Sequence, residues 1–197
     1  MKQYIFTTSL LFCSLFLLAQ DTEKKHLLKA DTTWTQEIFT FPIGFAQEIP
    51  LEGYEEAIFP PGWSKEESPD FWSYIFAWDV KAEAPLTTTH FETYLEYYFD
   101  GLMNIRDLKN GETILPTNAL FIKSQESENT SYFTGKIRLY EGRYTKEMMI
   151  LHVLATQYYC KTEKKTVVVF RFSPKEFGNP IWDVMNAIPL VAAACKF

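Results

Sequence analysis

The chain has 197 residues, 47% apolar and 22% charged, the balance of a folded domain rather than a disordered segment. Its 17 Phe, 11 Tyr and 5 Trp supply a large hydrophobic payload for one core. A formal net charge of −6 excludes the basic footprint of a nucleic-acid or anionic-membrane binder, and three cysteines exclude a disulfide-dense scaffold and a multi-cysteine zinc module.

The N-terminus opens on Met1, Lys2 and Gln3, followed by an apolar stretch from Tyr4 to Ala19. One positive charge, an apolar centre and the small Ala19 predict a secretory signal peptide over residues 1–19, cleaved to leave Gln20 first. A membrane anchor is the rival reading, but about 16 apolar residues fall short of the roughly 20 that a spanning helix needs. A lipidated Cys13 is a third reading, and bulky Phe12 stands where such sites want a small residue. The expectation is therefore an exported protein, periplasmic or secreted, with no stable membrane insertion after cleavage. Residues 20–35 are polar and charged and predict a flexible lead into a single domain over 36–197.

Within that domain, residues 38–41 and 53–59 predict two short strands, the first ended by Pro42. Pro60-Pro61-Gly62-Trp63 forces a turn, and residues 64–70 form a polar loop. From Phe71 to Val80, Trp72, Tyr74, Phe76 and Trp78 alternate with smaller residues, the period of a strand with one aromatic face. Thr89 and Glu92 have the spacing of a capping box, and Phe91, Leu95, Tyr98, Leu102 and Ile105 follow at helical spacing, so a long helix is expected over about 89–107. Gly101 inside it signals close packing or a kink. Four strands follow over 118–124, 131–140, 147–160 and 166–172, and Asn179-Pro180 opens a second helix expected over about 180–190.

The expected fold is α+β: an antiparallel sheet of about six strands covered by the long central helix and the C-terminal helix. This order of elements resembles the PsbP-like α-β-α sandwich over roughly residues 37–190, a fold that serves assembly factors and small binding proteins alike. The cystatin-like arrangement is a competing topology with a similar list of elements.

No Gly-rich phosphate loop, G-x-S-x-G elbow, H-E-x-x-H or C-x-x-C occurs. Of the three histidines, His26 lies in the lead, His90 in the first turn of the long helix and His152 in an apolar strand. His152 reads as a core histidine rather than a general base or ligand, because no partner stands at metal-ligand spacing. Glu55 and Glu56 are adjacent on a strand, so they point to opposite faces and cannot pair as acid and base. No catalytic residue, metal or cofactor is expected; the runner-up is a hydrolase-type enzyme with a site near His152. The binding expectation falls on the loop between the second and third strands, where Trp63 and Phe71 flank the carboxylates Glu66 and Glu67. A protein partner is the first expectation and a small molecule the second. Cys160 and Cys195 either form one disulfide, which export favours, or remain two buried thiols.

Overall fold

Alternating apolar residues over the seven strand segments bring all of them into one antiparallel sheet. The computed structural model describes residues 26–105, 114–191 and 194–195, so the signal peptide expected over 1–19 lies outside the described residues. The strands are β1 (Thr35–Phe41), β2 (Gly53–Phe59), β3 (Tyr74–Lys81), β4 (Asn118–Glu126), β5 (Thr130–Glu141), β6 (Glu147–Cys160) and β7 (Lys165–Ser173). Their order across the sheet is β1-β2-β3-β7-β6-β5-β4. The sheet holds seven strands rather than about six, because every predicted segment joins it, including the mostly exposed β1, which pairs with β2 through the backbone and begins at Thr35 rather than Ile38.

Two helices accompany the sheet, α1 (Thr88–Leu102) and α2 (Pro180–Asn186). Phe91, Leu95 and Phe99 of α1 are fully buried in one cluster with Trp78, Phe133, Phe170 and Phe172 of the sheet. The same cluster takes Ile43, Ala46 and Ile49 from the segment between β1 and β2, which has no strand or helix period. Two consecutive turns, Ala46 N–H to the Ile43 carbonyl at 3.0 Å and Ile49 N–H to the Ala46 carbonyl at 3.2 Å, set those three side chains on one side. A second cluster occupies the opposite face, where Ile181, Trp182 and Met185 of α2 meet Ile58, Ile75, Ala77 and Val169.

Several expected boundaries move for identifiable reasons. The cap of α1 is Thr87, whose Oγ1 accepts from His90 N–H at 3.3 Å while His90 Nδ1 accepts from Thr87 N–H at 3.0 Å. The box expected from Thr89 and Glu92 does not form because Glu92 is used elsewhere: its Oε1 accepts from Phe121 N–H at 2.9 Å. Glu96 takes Ala119 N–H at 3.0 Å and Asp100 takes Thr117 N–H at 2.8 Å. Four residues of helix rise about 6 Å and two residues of strand about 6.8 Å, so carboxylates four apart meet alternate amides of the β4 edge. An open edge that would otherwise recruit another strand is thereby satisfied internally.

The helix stops at Leu102 rather than near 107, with Asn104 in the left-handed region at φ 50; residues 106 and 107 lie outside the described residues. α2 stops at Asn186 rather than near 190, because the chain then turns back to bridge Leu190 to Leu28, with Lys29 N–H on the Pro189 carbonyl at 2.9 Å. Of the lead expected to be flexible over 20–35, residues 26–35 are described, and that bridge ties them to the domain. Leu28 is buried, and the buried carboxylate of Glu56 accepts from the amides of Leu27 and Leu28, from Gln36 Nε2 at 3.1 Å and contacts His26 Nδ1 at 3.0 Å. Cys160 and Cys195 are joined as a disulfide with a Cα–Cα distance of 5.1 Å, 35 residues apart. On the chain-entropy relation, closing a loop of that length stabilises by about 3–4 kcal/mol.

Candidate functional site

Where α1 ends, the face of the sheet that carries the larger cluster opens into an aromatic cavity of about 350 Å³. That is within the range of small-molecule sites, roughly 300–1,000 Å³. Phe39 of β1, Phe59 at the end of β2, and Tyr74 and Phe76 of β3 form the sheet side. Tyr98 and Leu102 come from the last turns of α1, and Phe45 from the segment before β2. Glu37 and Arg143, both exposed, are the charged lining residues.

One wall is the loop between β2 and β3. Consecutive turns fold it back: Trp63 N–H to the Pro60 carbonyl at 3.1 Å, Lys65 N–H to Gly62 at 3.0 Å and Ser68 N–H to Lys65 at 2.9 Å. Gly62 leaves room for the Ser68 side chain, whose Oγ would stand 2.0 Å from a Cβ there and accepts from Asp70 N–H at 3.1 Å. The half-buried Trp63 ring stacks on Phe59 at 4.5 Å between centroids and meets Tyr144 edge-on at 6.2 Å. Trp72 closes the loop through its N–H to the Trp63 carbonyl at 2.8 Å, with φ at 53. A bulky residue rarely occupies that left-handed region, which costs on the order of 1 kcal/mol or more. It also explains why β3 begins at Tyr74 and not at Phe71.

The opposite wall is the β5–β6 hairpin, which sets Arg143 and Tyr144 at the cavity. Its geometry is held by one fully buried carboxylate, Glu141, accepting from the amides of Arg143 (2.7 Å), Tyr144 (2.8 Å) and Thr145 (2.6 Å). Glu141→Ala is expected to cost about 2 kcal/mol, since three partly buried amide donors lose a buried, charged acceptor. Urea unfolding checks this; a loss within the range of a neutral surface change would contradict the assignment.

Two polar groups carried by lining residues stand out, although neither atom itself reaches the cavity surface. Trp72 Nε1 and Tyr74 Oη are buried and have no hydrogen-bond partner among the described residues. Beside them, the fully buried Glu55 accepts from Trp78 Nε1 at 2.6 Å and from Tyr98 Oη at 2.9 Å. Burial pushes the Glu55 carboxyl up to about 7, against the opposing effect of those two hydrogen bonds. Burial likewise raises the hydroxyl of Tyr74 well above the ordinary tyrosine range, with Glu55 adding to the rise and Arg143 opposing it. At neutral pH both tyrosines are hydrogen-bond donors and not phenolates.

Of the binding residues read from sequence, Trp63 lines the cavity. Phe71 is buried at 7% exposure and packs edge-on against Tyr144 at 5.9 Å, so it braces the wall instead of presenting a free ring. Glu66 and Glu67 are exposed on the loop, outside the cavity lining. His152 is buried on the other face of the sheet, its Nε2 3.4 Å from Glu176 Oε1 and its ring against Phe177. Glu55 and Glu56 do serve opposite faces, one beside the cavity and the other holding the lead. Trp72 and Tyr74 read as core from their alternation, and they are; their unpartnered donors depend on what is missing around them, which no pattern records. Arg143 and Tyr144 carry only a turn signal in the sequence.

Among the described residues, no group of three or more His, Cys, Asp or Glu is placed to hold a metal ion. Among them, too, no helix is long and apolar enough to cross a membrane. No known protein family, curated protein or solved structure matches the chain.

Proposed function

We propose that the chain is an exported, non-enzymatic binding module that holds a small, largely apolar ligand in the aromatic cavity. The observation that carries this reading is the cavity itself: a concave space of about 350 Å³ walled by rigid rings, with few polar groups. It moves the small molecule ahead of the protein partner expected from the loop alone. Export is supported by the N-terminal pattern and by the Cys160–Cys195 disulfide, which suits an oxidising compartment, periplasmic or extracellular. Helices contributing to the cores on opposite faces of one antiparallel sheet support placing the domain near the PsbP-like sandwich, whose fold accommodates binding proteins.

The experiment is a fluorescence titration of the tryptophans against a library of aromatic fragments, with Leu102→Phe as the control. Leu102 lines the cavity and is only partly buried, so the larger ring fills the space without crowding a tight core. Fragments that quench the wild type are expected to lose at least tenfold in affinity for Leu102→Phe, whose stability stays within about 1 kcal/mol. Equal binding by both proteins would place the ligand elsewhere.

A second reading, an acidic protein partner, rests on the uncovered half of the opposite face. There Leu120, Ile122, Tyr132, Met148 and Ile150 are exposed, and the exposed charges among them on β5 are Lys136 and Arg138. Ile150→Glu would abolish capture of such a partner and leave fragment binding intact.

A further inference from the structure

Resting on the cavity as a ligand site, we propose that its ligand is a zwitterion, an apolar body with an ammonium group at the Glu37 end and a carboxylate at the Arg143 end. Both residues line the cavity, both are exposed, and neither side chain has an ion-pair partner among the described residues. They stand on different elements. Glu37 comes from β1, two residues before Phe39 on the same side of the strand, and Arg143 comes from the β5–β6 turn beside Tyr144. From Phe39 the rings continue through Phe45, Tyr98, Phe76 and Tyr74 to Trp63, each 5.0–6.5 Å from the next, and Trp63 meets Tyr144. The two charges therefore flank opposite ends of one aromatic row.

Both charges are felt inside the site. Burial is the largest cause of the raised values of Glu55, Tyr98 and Tyr74; Glu37 adds to the rise of Glu55 and Tyr98, whereas Arg143 opposes that of Tyr74. The β1 end is thus negative and the β5–β6 end positive. A ligand of one sign loses at one end what it gains at the other, while a dipolar ligand gains at both. The residue types suit the two groups: an ammonium is attracted to aromatic faces, and a guanidinium offers a carboxylate parallel N–H donors. At about 30 Å³ for each non-hydrogen atom in a liquid such as water, 350 Å³ holds roughly a dozen of them, the size of one ring carrying both groups.

The test titrates para-(aminomethyl)phenylacetate into wild type, Glu37→Gln and Arg143→Gln, read by tryptophan fluorescence. Its single-charge analogues para-methylbenzylamine and para-methylphenylacetate and the hydrocarbon para-ethyltoluene are the comparison probes. Both substitutions change exposed side chains, so both variants fold. The zwitterion is expected to bind wild type at least tenfold more tightly than either single-charge analogue, the worth of about one charge-assisted hydrogen bond. Arg143→Gln is expected to bring it down to the level of the amine, and Glu37→Gln to the level of the acid, with the hydrocarbon affinity unchanged in both. A zwitterion no tighter than one of its single-charge analogues overturns the inference, and so does an advantage that survives either substitution. In both cases binding of the hydrocarbon leaves the cavity reading standing. Binding of none of the four probes overturns the cavity reading and this inference together.

Discussion

Gly101→Ala is expected to destabilise the protein by about 3 kcal/mol, although the same change in an ordinary helix interior gains about 1 kcal/mol. Gly101 lies one residue before the end of α1, where the helix abuts the segment between β1 and β2. A Cβ there would stand 1.7 Å from the Phe45 carbonyl oxygen and 2.8 Å from its carbonyl carbon. Both are backbone atoms, so no side chain can swing aside and either the helix or the segment must move. The neighbours on the two sides, Phe45, Tyr98 and Leu102, all line the cavity, so ligand affinity should fall along with stability. Urea unfolding decides it: a variant as stable as wild type, or more so, would contradict the close approach.

The second large effect is on pH dependence. Glu55 has an ordinary value of 4.5 and is pushed up to about 7 in the folded protein, first by burial. Between those two values the unfolded chain releases a proton that the folded chain keeps, so this group makes stability fall as pH rises. Its contribution is fully present below the unfolded value and lost by about pH 7, for a total of about 3 kcal/mol at 1.36 kcal/mol per unit. Trp78 Nε1 and Tyr98 Oη donate to separate oxygens of Glu55; Glu55→Gln removes the titration, its amide oxygen accepting from Trp78 Nε1 and its NH2 donating to Tyr98 Oη. Unfolding free energies measured from pH 4 to pH 8 should therefore show the wild type losing about 3 kcal/mol relative to the variant. A difference that stays constant across that range would contradict a buried, proton-holding Glu55.

These expectations rest on features of unequal legibility. The stripe Phe91, Leu95 and Tyr98 announces α1, and the apolar run of residues 147–160 announces β6 at both of its ends, because burial on a regular element repeats at that element's period. Gly101 is legible as an anomaly within a helical stripe, though not the Phe45 carbonyl that requires it. Ile43, Ala46 and Ile49 are missed as core because turns, not a period, aim them inward. The lead is missed because its anchor, Glu56, is a charged residue whose burial depends on donors 20 to 30 residues away. The same holds for α1's acidic row: Glu92 reads as a capping-box residue, and its role with Glu96 and Asp100 is set only when β4 brings its edge amides to them.

The site divides in the same way. Trp63 is visible from its rigid turn, and the aromatic run after it marks the region. The opposite wall is set by the hairpin turn that Glu141 holds, far along the chain from these rings. The sequence places Phe71 beside Trp63 with equal weight, but the left-handed turn at Trp72 separates the two, sending Phe71 behind the wall.

The most direct measurement is an amide-resolved NMR titration of residues 20–197 with a naphthalene fragment. Saturable shifts are expected to cluster at Phe59, Trp63, Trp72 to Phe76, Tyr98 to Leu102 and Arg143 to Tyr144, the elements that meet at the cavity. Shifts confined instead to Leu120, Ile122 and Ile150 on the opposite face, or no saturable shift at all, would contradict the cavity as the binding site.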